Sequence, residues 1–227
     1  MGFYSKYLFP LFVDWVLGQP QITELRRSLL AEVKGRVLEI GFGTGLNLAC
    51  YPSAIREITV VDPNPGMQRR ARRRLDSSEV RVHPHLLKGE SLPFPDSSFE
   101  SIVTTFTLCS IGDPSQALAE IRRVLKGDGR FFLLEHGLSP EDAVQRWQRR
   151  LTPLQRKLGD GCHLDREMES LVTEAGFEFK SLKMFYHPSF PKIAGYFYQG
   201  IAAKSKSPGN FDAGKRKGSF LRPILKF

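Results

Sequence analysis

Residues 37 to 45 read Val-Leu-Glu-Ile-Gly-Phe-Gly-Thr-Gly, a short apolar strand with an acid near its end and a glycine-rich turn directly after it. Twenty-one positions after Gly41 comes Asp62, at the end of a second apolar run over residues 58–61. A glycine turn after one strand and an acid after the next is typical of a βαβ unit that holds a nucleoside. The stretch therefore predicts an α/β fold with a nucleoside site at the ends of its first two strands.

The spacing of the glycines separates this turn from a dinucleotide fingerprint. That fingerprint is G-x-G-x-x-G, and its third glycine lets the following helix pack closely on the strand. Here the glycines stand at positions 41, 43 and 45, and position 46 is Leu. Because glycine accepts positive φ and lets a ligand approach the main chain, the turn still suits a nucleoside ligand, but not NAD.

Together these residues resemble the class I S-adenosylmethionine-dependent methyltransferases, which carry E-x-G-x-G-x-G and an acid after the second strand. The resemblance implies S-adenosylmethionine as the cofactor and S-adenosylhomocysteine as its product. It places the glycine turn against the methionine and ribose portions and makes Asp62 the acid that binds both ribose hydroxyls. A carboxylate suits this role because it offers only hydrogen-bond acceptors.

A polar run after the third predicted strand is similar to another motif of this family. Residues 89–100 read Gly-Glu-Ser-Leu-Pro-Phe-Pro-Asp-Ser-Ser-Phe-Glu, where the family has G-D-A-x-x-L-P-F-x-D-x-S-F-D. The family's acid accepts a hydrogen bond from the adenine amino group, and here the longer Glu90 takes its place. The end of the family's fourth strand touches the methionine part of the cofactor. The resemblance thus implies these cofactor-binding residues: Glu39, Gly41, Phe42, Gly43, Gly45, Asn47, Asp62, Pro63, Asn64, Met67, Gly89, Glu90, Ser91, Leu92, Thr105, Phe106, Thr107 and Cys109.

The resemblance runs from about Tyr4 to Lys204 and includes the type 11 methyltransferases, the group of the ubiquinone/menaquinone C-methyltransferases. A closer similarity is to the thiol S-methyltransferases of animal membranes and their bacterial relatives. Those relatives have a hydrophobic N-terminal membrane segment, which here is short and interrupted by Pro10 and Asp14. The residues that carry the similarity are 43–47, 51–52, 62–65, 108–110, 135–136 and 160–164.

Hydrophobic periodicity predicts a Rossmann-like α/β fold, with a seven-stranded, mostly parallel sheet and helices on both faces. In the family the last strand runs antiparallel. The strands are expected near residues 36–40, 57–61, 79–83, 99–106, 130–135, 177–186 and 195–203. Apolar residues at helical spacing predict helices over 22–33, 118–125 and 164–175, the last ended by Gly176. Asp113 before Pro114 predicts an N-cap followed by proline at the first helical position.

Composition bounds the organisation of the chain. Its 227 residues, 41% of them hydrophobic, suit one methyltransferase domain, expected over residues 1–204. Within it we expect an N-terminal helical cap over 1–33 and an insert over 137–162 near the substrate edge. No apolar run approaches the ~20 residues that span a bilayer. Three cysteines at 50, 109 and 162 have neither zinc spacing nor a disulfide framework, so we expect no metal and a cytoplasmic location.

Charge is distributed unevenly along the chain. Of the net charge of +9, residues 203–227 hold a net +6, from seven basic residues and Asp212. This composition predicts a disordered tail over 205–227, which is either solvated without a partner or a polyanion-binding arm for nucleic acid or anionic lipid. Five arginines are predicted to form a solvated face of the helix after Asp62: Arg69, Arg70, Arg72, Arg73 and Arg74.

His136, at the end of the fifth predicted strand, is the candidate general base. The alternative is a structural histidine bonded to the backbone. His163 and Asp165 are expected to open the next helix, His163 as a weaker catalytic candidate and Asp165 as a charge that complements the helix dipole. A sulfonium methyl group is already electrophilic, so the reaction mainly needs alignment and exclusion of water.

Three functions are compatible with these patterns. The first is methyl transfer to a small-molecule acceptor, at a thiol, a hydroxyl or a quinol-type carbon. The second is methylation of RNA or protein with help from the basic tail, and the third is a non-catalytic nucleotide-binding module. Residues 105–108 stand where amino-methylating nucleic-acid enzymes carry N-P-P-Y or D-P-P-Y, which argues against methylation of base amines. Peripheral membrane contact and the oligomeric state stay open.

Overall fold

Seven strands form one sheet in the computed structural model, which describes residues 2–206. The strands are β1 (Val37–Ile40), β2 (Glu57–Val61), β3 (Arg81–His85), β4 (Phe99–Thr105), β5 (Leu125–His136), β6 (Phe177–Tyr186) and β7 (Tyr196–Lys204). The α-helices of the described part are α1 (Phe9–Leu17), α2 (Pro20–Leu30), α3 (Pro65–Asp76), α4 (Pro114–Val124), α5 (Asp142–Leu158) and α6 (Met168–Glu174). A π-helical turn, Tyr4–Leu8, precedes α1. None of these helices is long and apolar enough to cross a bilayer.

The sheet has the order β3-β2-β1-β4-β5-β7-β6. Strands β1 to β5 pair in parallel, whereas β7 runs antiparallel to both β5 and β6. The predicted fold class is therefore confirmed, including the antiparallel last strand. All four residues of β1 are buried, as expected for a strand covered by helices on both faces.

The direction of winding changes between β1 and β4. From β1 the chain builds outward to β2 and β3, and from β4 it builds the other way to β5. In open α/β sheets, ligands bind at such a switch point, beyond the carboxyl ends of the strands. Ile40 lies beside Val61 on one neighbour and Thr104 on the other, so the residues that follow all three meet at one edge.

Alternate residues of the central strands supply two hydrophobic cores, one on each face of the sheet. In β4, Ile102 belongs to one core and Val103 to the other. Helix α4 covers the first core with Leu118 and Ile121, and α2 covers the second with Ile22 and Leu29. Burying each such side chain contributes roughly 1.5–3 kcal/mol, which holds the strand ends in fixed positions.

The predicted cap of α4 is confirmed, and the predicted start of α6 is wrong. Asp113 accepts a hydrogen bond from the Gln116 amide at 3.0 Å, with Pro114 at the first helical position. Helix α6 begins at Met168, not at residue 164, because the Glu167 carboxylate accepts the Glu169 and Ser170 amides and so caps the helix there. His163 and Asp165 therefore precede the helix, and Asp165 does not complement its dipole.

Residues 163–166 are not helical. They lie alongside the loop that follows β4 and are hydrogen-bonded to it. The His163 amide donates to the Cys109 carbonyl at 2.8 Å, and the Arg166 guanidinium donates to the carbonyls of Leu108 and Ile111. No pattern in the sequence marks these long-range bonds. The helical spacing of apolar residues over 164–175 therefore predicted a helix that begins too early. The predicted basic tail, 205–227, lies outside the described residues from position 207 onward.

Candidate active site

A cavity of about 560 Å³ opens beyond the carboxyl ends of β1, β2 and β4. Its size is in the range of small-molecule and cofactor sites. A larger groove of about 1010 Å³ runs along residues 33–36, 54–57 and 75–82, near the amino ends of β1 to β3. Open α/β sheets bind their ligands at the carboxyl ends, so the smaller cavity is the candidate site.

The glycine turn forms the floor of this cavity. Gly41, Gly43 and Gly45 all have positive φ, at 77°, 57° and 79°. A Cβ on Gly43 would meet nothing closer than the Gly41 carbonyl oxygen at 3.9 Å, so the main chain there faces open space. Gly45 lies outside the cavity lining and packs near the Phe42 ring, so its role is conformational.

Asp62 is buried at the end of β2 and fastens the turn. One carboxylate oxygen accepts the Gly43 amide at 2.7 Å, and the other accepts the Asn64 amide at 2.8 Å. Burial raises the pKa of Asp62, and these two hydrogen bonds oppose the rise. Each oxygen has a further lone pair, so the carboxylate can accept two more donors, as a pair of ribose hydroxyls requires.

Glu39 and Asn47 form a polar layer behind the turn. The Glu39 carboxylate accepts the Tyr51 hydroxyl at 2.7 Å and the Asn47 side-chain amide at 2.9 Å. Burial raises the pKa of Glu39 to about 7 against these two bonds. The Asn47 amide also lies 3.1 Å from the Thr105 hydroxyl, while its Oδ1 has no partner among the described residues. That buried acceptor on the cavity wall fits a ligand with hydrogen-bond donors.

Arg26, which sequence reasoning missed, is a buried cation on the same wall. Its Nη1 donates to the Leu17 carbonyl at 2.8 Å, and its Nε has no partner among the described residues. The guanidinium lies 5.5 Å from the Phe106 ring centre. Burial lowers the pKa of Arg26 to about 10, which leaves it charged at neutral pH. A buried charge without an ion pair is costly unless a ligand neutralises it.

Most of the predicted site residues line the cavity, and three do not. Gly45, Ser91 and Leu92 lie outside its lining. Ser91 is exposed, and Leu92 is buried in a hydrophobic core with its amide bonded to Glu120. The predicted residues that line the cavity are Glu39, Gly41, Phe42, Gly43, Asn47, Asp62, Pro63, Asn64, Met67, Gly89, Glu90, Thr105, Phe106, Thr107, Cys109 and His136.

The N-terminal segment closes one side of the cavity, and Asp14 holds it there. Asp14 accepts hydrogen bonds from the Thr44 hydroxyl at 2.7 Å and from the guanidinium groups of Arg70 and Arg74 at 2.9 and 2.8 Å. Helix α1 contributes apolar side chains, including Phe12, which is half exposed and so lies at the cavity opening. Arg70 is exposed and Arg74 partly exposed, in line with the predicted solvated helix face, but both also bind the Asp14 carboxylate, which the sequence did not predict.

The N-terminal segment also meets the end of α5 at the cavity edge. The Tyr4 hydroxyl donates to the Leu158 carbonyl at 2.6 Å, and the Ser5 hydroxyl donates to Asp160 at 2.8 Å. Asn64, next to the Asp62 motif, donates to the Ser5 carbonyl at 3.0 Å. The predicted N-terminal cap and the predicted insert over 137–162 are thus hydrogen-bonded to each other beside Asp62, the predicted ribose-binding acid.

His136 lies in the cavity wall beside two cysteines. Its Nε2 is 2.9 Å from the Cys162 sulfur, so its partner is a thiol and not the backbone. The candidate ligand atoms of Cys109, His136 and Cys162 all lie within 4.8 Å of one another. His163, by contrast, has its Nδ1 3.3 Å from the Cys109 carbonyl oxygen, lies outside the cavity lining and fits a structural role.

Comparison with known proteins identifies this architecture. A family model for a methyltransferase domain matches residues 38–133, from β1 into β5. The chain is 32% identical to thiol S-methyltransferase TMT1B of Rattus norvegicus, over 72% of this chain and 70% of the relative. It is 29% identical to thiol S-methyltransferase TMT1A of Homo sapiens, over 88% and 87%. A solved SAM-dependent methyltransferase of Thermotoga maritima superposes with a TM-score of 0.63 at 25% identity, covering 89% of this chain and 98% of the other.

We predict that Asp14→Ala releases the N-terminal segment from the cavity. Loss of three bonds to one nearly buried carboxylate should lower the free energy of local opening by about 2 kcal/mol. Hydrogen exchange of the α1 amides, followed by mass spectrometry, should then accelerate more than tenfold. Glu24→Ala is the control, because Glu24 is exposed and its ion pair with Arg27 stays within α2. Exchange in α1 at the wild-type rate would contradict the prediction.

Proposed function

This chain belongs to the class I S-adenosylmethionine-dependent methyltransferases, and we propose that its methyl acceptor is a small, mainly apolar thiol. The observation that carries this proposal is the similarity to thiol S-methyltransferases, which extends beyond the matched domain to the segments that wall the cavity. Aromatic walls support an apolar acceptor. They include Phe9, Phe12, Phe106, Phe190 and Phe197.

The cavity fits S-adenosylmethionine, and each part of the cofactor has a counterpart there. In our proposal Asp62 accepts both ribose hydroxyls, because each of its oxygens has acceptor capacity left after bonding the turn. Glu90, which also lines the cavity, accepts the adenine amino group in this proposal. The glycine turn lies against the methionine portion. Bound there, the cofactor supplies a methyl group that its sulfonium makes electrophilic.

Arg26 is proposed to bind the methionine carboxylate. It is the buried cation beside the glycine turn, and its Nε–H has no partner among the described residues. A carboxylate would satisfy that donor and neutralise the charge at once, with a charge-assisted hydrogen bond that is stronger than a neutral one. The Phe106 ring, 5.5 Å from the guanidinium carbon, is within cation–π distance of the charge.

His136 is proposed as the base that takes the proton of the acceptor. A thiol reacts as its thiolate, so removal of the proton generates the nucleophile. The Nδ1 atom of His136 is buried without a partner among the described residues, in a ring that lines the cavity. The walls contributed by α1 and by the segment around Phe197 exclude water from the transfer. The chain's own contribution is thus alignment, a dry site and one proton acceptor.

A crossed binding experiment tests the cofactor assignments. We expect Asp62→Ala to weaken S-adenosylmethionine and 5′-methylthioadenosine alike, by roughly tenfold or more, because both ligands carry the ribose. Arg26→Gln should weaken only S-adenosylmethionine, because 5′-methylthioadenosine has no carboxylate. Calorimetry gives all the affinities, and wild-type protein gives the reference. Equal losses for both ligands in Arg26→Gln would contradict the carboxylate role.

A matched pair of acceptors tests the acceptor class. With labelled S-adenosylmethionine, we expect phenylmethanethiol to be methylated on the order of 100-fold faster than phenylmethanol, because the thiol ionises far more readily near neutral pH. A reduced quinone in the same assay covers ring-carbon acceptors. Faster turnover of the quinol than of the thiol would overturn the proposal and favour C-methylation.

For the base, we predict that His136→Ala lowers turnover of phenylmethanethiol by on the order of 100-fold while the affinity for S-adenosylmethionine is unchanged. The matched control is His163→Ala, because that imidazole faces a backbone carbonyl. Unchanged turnover in the His136 variant would remove it from the mechanism. A loss shared equally by both variants would point to packing around the loop after β4.

Three of our predictions are supported by the amino-acid sequence and by no feature of the described residues. They are the cytoplasmic location, the disordered basic tail and any macromolecular acceptor that the tail would recruit. We favour the small acceptor because α1, α5 and the β6–β7 connection all contribute side chains to the cavity wall and so narrow the approach to it. A nucleobase in a folded RNA or a side chain in a folded protein would need a wider approach.

A further inference from the structure

Exposed apolar side chains are concentrated on two helical segments of the protein. Among the described residues, twelve large hydrophobic side chains are exposed, and ten of them belong to residues 3–15 or to α5. Apolar residues that are exposed singly are ordinary, whereas a concentrated group marks a site of interaction. We call the outer faces of residues 3–15 and of α5, taken together, the apolar surface.

Helix α1 is apolar on two sides, and only one of them is covered. Phe9 and Val13 line the cavity, whereas Leu11 and Trp15 lie on the outer side, where Trp15 is 74% exposed. Asp14 is the one charged residue of α1, and its carboxylate already binds Thr44 and two arginines. A helix that is apolar all round is normally buried all round. The outer side of α1 therefore calls for a covering partner.

Helix α5 carries polar side chains inside and apolar side chains outside. Gln148 is buried and donates to two backbone carbonyls, and Thr152 is buried as well. Trp147, Leu154 and Leu158 are exposed, and their spacing of seven and four positions places them on one face of the helix. A surface helix normally has the opposite arrangement. The outer face of α5 therefore belongs to an interaction surface rather than to the core.

The two parts of the apolar surface adjoin each other at the cavity opening. The Tyr4 hydroxyl donates to the Leu158 carbonyl at 2.6 Å, and the Ser5 hydroxyl donates to Asp160 at 2.8 Å. Phe12 and Asp160 both line the cavity, and Phe12 is also half exposed. The apolar surface thus borders the opening through which an acceptor enters.

Basic residues flank the apolar surface and determine the charge of its partner. Helices α3 and α5 each contain five basic residues and one acid. The guanidinium carbon of Arg69 lies 4.9 Å from the centre of the Tyr7 ring, and that of Arg150 lies 5.8 Å from the Trp147 ring. No basic residue of α5 forms an ion pair within the described part of the chain. Cations and aromatic rings therefore alternate on this surface, which fits an anionic partner.

We propose that the apolar surface binds the interface of an anionic lipid bilayer. Helices that lie in a membrane interface combine apolar and aromatic residues with flanking Lys and Arg, as this surface does. Tryptophan and tyrosine favour the level of the lipid headgroups, and long basic side chains reach phosphates while their stems lie on apolar groups. Because the inner side of α1 forms the cavity wall, only its outer side enters the lipid.

Two other partners fit the surface less well than a bilayer does. A second copy of this chain would bring two basic surfaces together, which like-charge repulsion opposes. A nucleic acid would pair its phosphates with the arginines but offer nothing apolar to Leu11 and Leu154. A bilayer presents an anionic plane above an apolar layer, and so it matches both the basic flanks and the leucines.

This orientation has a consequence for the acceptor. The docked protein holds its cavity opening beside the lipid, so an apolar thiol dissolved in the bilayer reaches the cavity without crossing water. That consequence rests on the proposed function. The docking itself involves no methyl transfer, so a failed acceptor assay and a failed binding assay are separate results.

The chain's two tryptophans, Trp15 and Trp147, both lie on the apolar surface and report on its contact with lipid. In full-length Trp15→Phe and Trp147→Phe, each of which keeps one reporter, we mix the protein with vesicles of phosphatidylcholine and phosphatidylserine in equal parts. We expect emission from either tryptophan to shift to shorter wavelength and to be quenched when the lipid chains carry bromine. Binding to phosphatidylcholine alone should be on the order of tenfold weaker or less. Quenching of neither tryptophan, or of Trp15 alone, would overturn the proposal.

Flotation of the full chain with the same vesicles tests the apolar contacts. Leu11→Gln with Trp15→Gln, and separately Trp147→Gln with Leu154→Gln, should each weaken binding on the order of tenfold or more. The matched control is Leu86→Gln with Met184→Gln, because both side chains are exposed and lie near β3 and in β6. Thermal unfolding at the wild-type midpoint shows that each variant is folded.

The charges are tested in the same assay. Arg150→Gln with Lys157→Gln should weaken binding on the order of tenfold, whereas Arg56→Gln, an exposed arginine at the amino end of β2, should not. All variants keep residues 205–227, so attachment through the basic tail alone would leave every variant at wild-type binding and overturn the proposal. Binding of an RNA oligonucleotide but not of vesicles would identify a nucleic-acid surface and overturn it as well.

Discussion

The hydrogen bond from the Gly43 amide to the Asp62 carboxylate is the contact on which the site depends. It joins the turn after β1 to the end of β2, and so it holds together the two segments that the sequence predicts to form the nucleoside site. The bond needs a glycine at positive φ and a carboxylate at the end of a buried strand. Parallel pairing of β1 with β2 brings them within reach, and the two hydrophobic cores hold that pairing.

Everything else in the cavity is arranged around this fixed edge. Glu39 and Asn47 support the turn from behind, and Arg26 supplies a buried positive charge on the same side. The acceptor side is built from separate segments, which include His136 and Cys162. In the proposed function, cofactor binding and acceptor choice therefore come from different parts of the chain, as expected for a fold that hosts many chemistries on one scaffold.

Local sequence patterns predicted the features that local physics determines. Alternating apolar residues located the seven strands, although β3 begins two residues later than expected and β5 begins earlier, at Leu125. The cap at Asp113 followed from side-chain chemistry alone. Tertiary contacts overrode the pattern before α6, where bonds to the loop after β4 hold residues 163–166 out of the helix.

The features missed by sequence reasoning all depend on distant partners. Arg26 reads as an ordinary polar position of an amphipathic helix, and its burial is seen only once α2 packs beneath the cavity. Cys162 reads as a lone cysteine until the fold carries it to His136. Arg70 and Arg74 read as a solvated surface because Asp14, their partner, lies more than 50 residues earlier in the N-terminal segment.

The attachment of the N-terminal segment through Asp14 has a consequence for synthesis of the chain. Its arginine partners come 56 and 60 residues later, so they leave the ribosome well after the segment does. Until then the apolar side chains of α1 that line the cavity, such as Phe9, Val13 and Val16, have no partner surface, and such exposed apolar stretches are prone to aggregate or to be captured by chaperones. The cavity wall that this segment forms is thus completed only after β1, β2 and α3 have been made, although the segment precedes them in the chain.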